Sequence, residues 1–195
     1  MQNRTVTTTS QLSSATAERL VVLRSMLSEA QQRCSDDSAV GRHLGLLALQ
    51  DTCELAMILA LDDLGEEHRD NTRFDDLYSK LAGGVLDDKT WKARNQWLAV
   101  RTMNRARSSA QHHGQQPDRV QLNRWATAAD GFVRSLVALQ FGVDLRNAVA
   151  ASAIADQGLR RLLAAAEDAL YDGRTAECIR LGAEPGSTAP ISEAR

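Results

Sequence analysis

Apolar residues recur at every third or fourth position through most of this chain. That spacing gathers them on one face of an α-helix. Leu20, Leu23, Leu27 and Ala30 make one such stripe and predict a helix over residues 15–33, closed by the turn-forming run Ser35-Asp36-Asp37-Ser38. Residues 39–64 predict a second helix. His43, Leu46, Leu47, Cys53, Met57, Ala60, Leu61 and Leu64 fall on one broad face, which Leu49, Leu55 and Leu59 widen. A helix apolar over so much of its surface belongs at the centre of a bundle. Gly65 ends it.

A shorter helix is predicted over 74–81 and a fourth over 90–111, with Asp87 or Asp88 as its cap. Gly114 and Pro117 stop the fourth. A fifth spans 118–141 with Leu122, Trp125, Ala129, Phe132, Val133, Leu136 and Leu139 as its stripe. A sixth runs over 145–171, and a last short one lies near 176–181.

Composition supports the same class. Ala and Leu dominate the apolar residues, aromatics are only 4%, and there are 3 prolines. Helix formers are abundant and β-branched runs are missing. The expectation is an all-α bundle of five to seven helices over 15–182. A disordered Ser/Thr-rich arm is expected over 1–14 and a disordered small, polar tail over 183–195. Three scattered cysteines (Cys34, Cys53, Cys178) form neither a disulfide framework nor a metal knuckle, and read as reduced thiols. No run of 18 uncharged apolar residues suggests a membrane span, and a cytoplasmic location is expected.

Charge changes the picture at one place. Between residues 88 and 134 nine basic side chains face three acidic ones, a local +6 in a chain of net −2. The rest of the chain must therefore carry −8. Either this is a solvated face or it is a local anion site, most naturally for phosphate. Trp91, Trp97 and Trp125 flank it as core or interface anchors.

Within this region lies "RTMNRARSSAQHHGQQP", residues 101–117, with no Asp or Glu from 89 to 117. Such a run is a poor metal site, because its ligands are few and its arginines repel a cation. No cofactor is expected. Arginine holds phosphate oxygens and histidine moves protons near neutral pH, a pair suited to metal-free cleavage of RNA by its own 2′-hydroxyl. At about 100° per residue, Arg105 and His112 lie some 20° apart with Ser109 between them, while Arg107 and His112 are about 140° apart. Arg107 and His112 could converge only if the last turn unwinds or a second chain supplies one of them. Alternatively, His112 simply caps a carbonyl at the helix end.

The segment resembles the signature helix of HEPN domains. A frequent form of that motif reads Leu-Asn-x-x-Arg-Asn-x-x-Lys-His-x-Gly-x-x-Pro. Met103 and Asn104 match its opening pair, Arg107 its arginine, His112 its histidine, Gly114 its glycine and Pro117 its proline. The family's looser Arg–His spacing is also met by Arg105 with His112. Two positions depart from it: Ser108 stands where Asn, Asp or His is usual, and Gln111 where Lys is usual.

The resemblance implies a HEPN-like bundle and a homodimer whose paired helices line one cleft. It implies a metal-independent endoribonuclease of a toxin or phage-defence system, acting on RNA and restrained by an antitoxin or a larger defence complex. Arg107 and His112 would be catalytic, and Asn104, Arg105, Ser108 and His113 would support them. Some HEPN members are inactive dimerisation or binding modules, so that alternative stands beside the enzyme. A small-molecule-sensing regulatory domain is a third. His43, among leucines, reads as a packed histidine, and His68, in an acidic loop, as a solvated one.

Overall fold

The computed structural model describes residues 12–69, 71–84, 94–147 and 157–183. Among them are seven α-helices and no strand: α1 (Ser14–Cys34), α2 (Ala39–Leu64), α3 (Phe74–Gly84), α4 (Arg94–His113), α5 (Arg119–Phe141), α6 (Gln157–Tyr171) and α7 (Thr175–Ala183). The expected all-α bundle is therefore observed. The expected sixth helix differs at its start. Leu145–Asn147 forms a single 3-10 turn, and the described α-helix begins only at Gln157. Gly142 ends α5 in a left-handed conformation, and the next residues wind too tightly and briefly for an α-helix. The proposed caps Asp87 and Asp88, Trp91 and the start of the fourth helix lie outside the described residues, as do 1–11 of the arm and 184–195 of the tail.

The described chain forms two compact units. One holds residues 22–145; the other holds 12–21, 146–147 and 157–183.

In the first unit α2 is the hub and packs against α3, α4 and α5. It is long and apolar enough to cross a membrane by length and composition, but here most of it is a core helix. Leu46, Leu49, Cys53, Met57, Ala60 and Leu61 are all buried. Ser38 starts the helix by accepting a hydrogen bond from the Gly41 amide. At its other end Gly65 reverses the chain, and the Glu66 amide reaches back to the Leu61 carbonyl at 3.0 Å. Two polar side chains are buried in α2: Thr52 bonds back to the Ala48 carbonyl, and Gln50 donates to Glu54.

Helix α5 closes the core with Leu122, Ala129, Phe132, Val133 and Leu136, whereas Leu139, expected in the same stripe, is exposed near the helix end. Asp130, on α5, accepts hydrogen bonds from Gln31 of α1 and from Arg134. Trp97 of α4 stacks on Tyr78, with centroids 3.5 Å apart, and lies near Phe74 and Phe132. It is therefore an anchor between helices, as expected. Burial raises the thiols of Cys34 and Cys53 well above their usual pKa, Cys34 to about 12, so both are protonated and inert.

The reversal at Gly65 also corrects the reading of His68. Its Nε2 lies 2.7 Å from Asp62 Oδ1 and its side chain is only 15% exposed. The turn brings the loop back over the last turn of α2, so His68 is paired rather than solvated.

In the second unit α6 packs against α7. Ala166 and Ala169 are buried there, and Arg174 pairs with Asp172 and Glu177 in the connecting turn.

Gly45 shows how closely α2 meets the end of α1. A Cβ there would sit 2.7 Å from the Cys34 amide nitrogen and 2.9 Å from its Sγ. Glycine inside a helix ordinarily costs about 1 kcal/mol relative to alanine, so Gly→Ala should stabilise. At Gly45 the sign reverses, because the nearest facing atom is backbone and cannot move aside; the overpacking costs about 1–3 kcal/mol. At Gly182, in α7, a Cβ meets nothing within 4 Å. Urea denaturation is expected to show Gly45→Ala less stable than the parent and Gly182→Ala equal or more stable.

Candidate functional site

The charged motif lies on α4, and burial fixes how that helix is turned. Val100, Met103 and Ala110 are buried. Their side of α4 faces the core, against α2 and α5. Counting about 100° per residue from Arg105, these three lie between roughly 140° and 220° away. Arg107 falls inside that arc. Leu98, Arg105 and His112 repeat every seven residues on the opposite side, and all three are exposed, Leu98 by 67%. Arg101 and Ser108 are exposed beside this row, and Thr102 and Ser109 flank it on the other side.

The end of the helix settles whether the last turn unwinds. It does not. Helix α4 stays regular through His113, and the Gly114 amide bonds to the Ala110 carbonyl at 3.0 Å. Gly114 then takes φ +63°, which glycine adopts without the strain a Cβ would cause, and the chain turns toward α5. Arg107 and His112 of one chain therefore remain about 140° apart on the helix. Arg105, Ser109 and His112 share a side.

Arg107 is half-buried, and its Nε is enclosed without a hydrogen-bond acceptor among the described residues. Its charge acts on Asp51 of α2. Burial pushes the Asp51 carboxyl above its ordinary pKa, and the nearby Arg107 guanidinium pulls it back only in part. The arginine at the motif's own position is thus engaged with the bundle. Arg105, by contrast, makes no ion pair or hydrogen bond among the described residues. His112 and His113 are exposed in the last turn, where the helix dipole favours a positive charge, and Asn104 is half-buried. Among the described residues no group of three or more His, Cys, Asp or Glu is placed to hold a metal ion.

The local +6 of the sequence is partly neutralised. Arg101 lies 3.3 Å from Asp75 and Arg119 2.8 Å from Asp37, both carboxylates from outside that region, while Arg134 lies 2.8 Å from Asp130, which the +6 already counts. The first two pairs are exposed and weak in water.

A pocket of about 400 Å³ opens between α4, the turn that follows it and the start of α5. Arg105 and Ser109 line it from α4, Gln115, Gln116 and Pro117 from the turn, and Gln121 and Trp125 from α5. Asp118 caps α5 by accepting from the Gln121 amide at 3.0 Å. Trp125 is 6% exposed and its indole N–H is buried with no acceptor among the described residues. Sequence patterning marked Trp125 as a core residue. The signal that could have placed it near the motif is its position two helical turns after the Gly114–Pro117 reversal.

Asp51 reports on Arg107 directly. In the Arg107→Gln variant the cation that favours the ionised carboxylate is gone while burial remains. The Asp51 pKa is expected to rise further, read as a carboxyl carbon titration by NMR. An unchanged titration would mean that Arg107 does not act on Asp51.

The chain matches no protein-family model, no curated protein and no solved structure, so the site rests on its own residues.

Proposed function

We propose that this chain is a HEPN-like, metal-independent endoribonuclease that works as a homodimer in the cytosol, with its cleavage site between two α4 helices. One observation carries the reading: the outward row Leu98–Arg105–His112 stands opposite the packed side of α4, with the small residues Ser108 and Ser109 beside its centre.

Two-fold pairing sets the register. In an isologous contact, residue i meets j and j meets i. If two antiparallel α4 helices cross at Ser108–Ser109, His112 comes opposite the partner's Arg105, and Arg105 opposite the partner's His112. The small serines let the backbones approach. Each of the two equivalent sites then contains one arginine and one histidine from different chains. In this arrangement Arg105 takes the phosphate, ahead of Arg107, which positions α4 through Asp51.

The chemistry follows from that pair. The RNA 2′-hydroxyl attacks the adjacent phosphorus and the bond to the 5′-oxygen breaks. A 2′,3′-cyclic phosphate and a 5′-hydroxyl end result. Arg105 holds the non-bridging oxygens as their charge grows. His112 carries the proton taken from the 2′-hydroxyl or delivered to the leaving oxygen. Ser108, Asn104 and His113 are the supporting groups nearby. The nucleophile is built into the substrate, so the step asks little more than positioning and charge stabilisation. A toxin of this kind would need an antitoxin or a larger defence complex to restrain it.

The second reading is a HEPN-like module that dimerises without cleaving. The observation favouring it is the inward side chain of Arg107, the motif's own arginine. The two readings share the dimer and separate on catalysis.

Purified protein incubated with RNA in EDTA is expected to leave 2′,3′-cyclic phosphate ends. His112→Ala should lower the rate by about 10²–10⁴-fold, and Arg105→Gln by about 10²–10³-fold. Arg107→Gln should cost less than Arg105→Gln. Mixing inactive His112→Ala and Arg105→Gln chains rebuilds one intact site per mixed dimer, returning about a quarter of the parent rate. If RNA stays whole while the protein is a dimer, the non-cleaving module is right. If the mixture stays dead while the parent cuts, the paired-chain site is wrong.

A further inference from the structure

The side of α2 that its neighbours leave uncovered is mostly apolar. Val40 and Leu44 are 68% and 40% exposed, and Leu47, Leu55 and Ile58 are half-buried. Single apolar side chains on a surface are ordinary, but a continuous row of them marks a docking face.

This row has an order. Val40, Leu44, Leu47, Asp51, Glu54 and Ile58 follow one another at alternating spacings of four and three. That alternation is the seam along which one helix packs against another in a coiled coil. The seam runs about 27 Å along the helix. None of its six residues belongs to the buried set of α2, which faces α3, α4 and α5. One helix thus carries two faces, a broad one for its own core and a narrow one left over.

The two central seam positions are acidic. Asp51 is exposed and Glu54 is half-buried. The buried Gln50 amide donates to Glu54 at 2.6 Å and holds that carboxylate in place. At Asp51 the carboxyl is shielded enough to sit above its ordinary pKa, and Arg107 offsets only part of that. A further cation beside it would favour the ionised form. Polar residues inside a seam weaken packing against an all-apolar helix and select the partner that answers them.

We infer that this seam docks a helix of another protein, one that is apolar toward both ends and carries Lys or Arg at its centre, against Asp51 and Glu54. A second copy of α2 fits poorly. Paired in parallel, Asp51 meets Asp51 and Glu54 meets Glu54. Paired antiparallel with the apolar ends overlapped, the chains centre near residue 49, and the two Asp51 positions lie only about 6 Å apart along the axis. Like charges oppose both arrangements. The inference stands apart from the cleavage reading, which uses the outward row of α4.

Two synthetic helical peptides of about three heptads test it. Both carry Leu at the outer seam positions. The two central seam positions hold Arg in one peptide and Glu in the other. Each is labelled and titrated with the full chain by fluorescence anisotropy. The Arg peptide is expected to bind about tenfold tighter than the Glu peptide at low salt, with a smaller gap at high salt. Against the double variant Asp51→Asn, Glu54→Gln the two peptides should bind within about twofold of each other. Leu44→Gln should weaken both about tenfold. Leu139→Gln, exposed on α5 and off the seam, is the control and should bind both as the parent does.

The inference is overturned if the Arg peptide binds no tighter than the Glu peptide, if the double variant keeps the preference, or if Leu44→Gln binds as the parent does. Sedimentation velocity of the chain alone tests the rival occupant. The parent and Leu44→Gln should sediment alike. Self-association that Leu44→Gln abolishes would put a second copy on the seam and overturn the partner helix. RNA left intact would remove the cleavage reading and leave each of these readouts standing.

Discussion

Everything in the first unit depends on the burial of α2. A helix this apolar has to be covered on several sides, and α3, α4 and α5 supply the cover. Each covering helix must then turn its own apolar stripe inward. For α4 that stripe is Val100, Met103 and Ala110, and no other rotation of the helix buries all three. The orientation of the charged residues is a by-product. Arg107 shares the arc of the buried side chains, and Arg105 and His112 are carried to the outside. The core thus decides which arginine meets solvent, although the core contains neither.

Arg107 then shows what that rotation costs. A guanidinium drawn toward a core needs acceptors or a counter-charge. Its charge is felt at Asp51, yet its Nε has no acceptor among the described residues. Asp51 in turn ionises less readily than an ordinary aspartate, because burial outweighs the arginine's pull. Neither group is fully compensated. A lone arginine placed this way is better suited to holding α4 against α2 than to releasing its side chain to a substrate phosphate. Arg105 has no such tie among the described residues, so it can meet a phosphate without first breaking an internal contact.

The helices were largely legible in the sequence because each rule involved is local. The cap at Ser38 and the stop at Gly65 mark α2 at the expected bounds, and Asp118 and Gly142 mark α5. The angular relations along α4 were also legible, since they follow from helix geometry alone. What could not be read was the absolute rotation of α4, which depends on partners far away in sequence. The charge of Arg107 acts on Asp51 across 56 residues of sequence, and nothing near either residue announces it. His68 failed for the same reason: its acidic neighbours suggested water, but the chain reversal at Gly65 delivered Asp62 instead. The tryptophan at 125 was legible as a core residue, while its unsatisfied N–H beside a pocket emerges only when α4, the turn and α5 come together.

The same long-range pairing reshapes the electrostatics. Nine basic residues scattered over 88–134 suggest either a solvated face or a local anion site. Folding draws Arg101, Arg119 and Arg134 to aspartates and half-buries Arg107. Of the arginines on α4 and α5 whose side chains are described, Arg105 and Arg124 keep unpaired charge at the surface. A duplex tracked along many phosphates needs a row of such charges. One unpaired arginine on α4 suits contact with a single phosphate instead. The narrowing of the charge follows from which carboxylates the fold supplies, and it confines any anion contact on α4 to a local one.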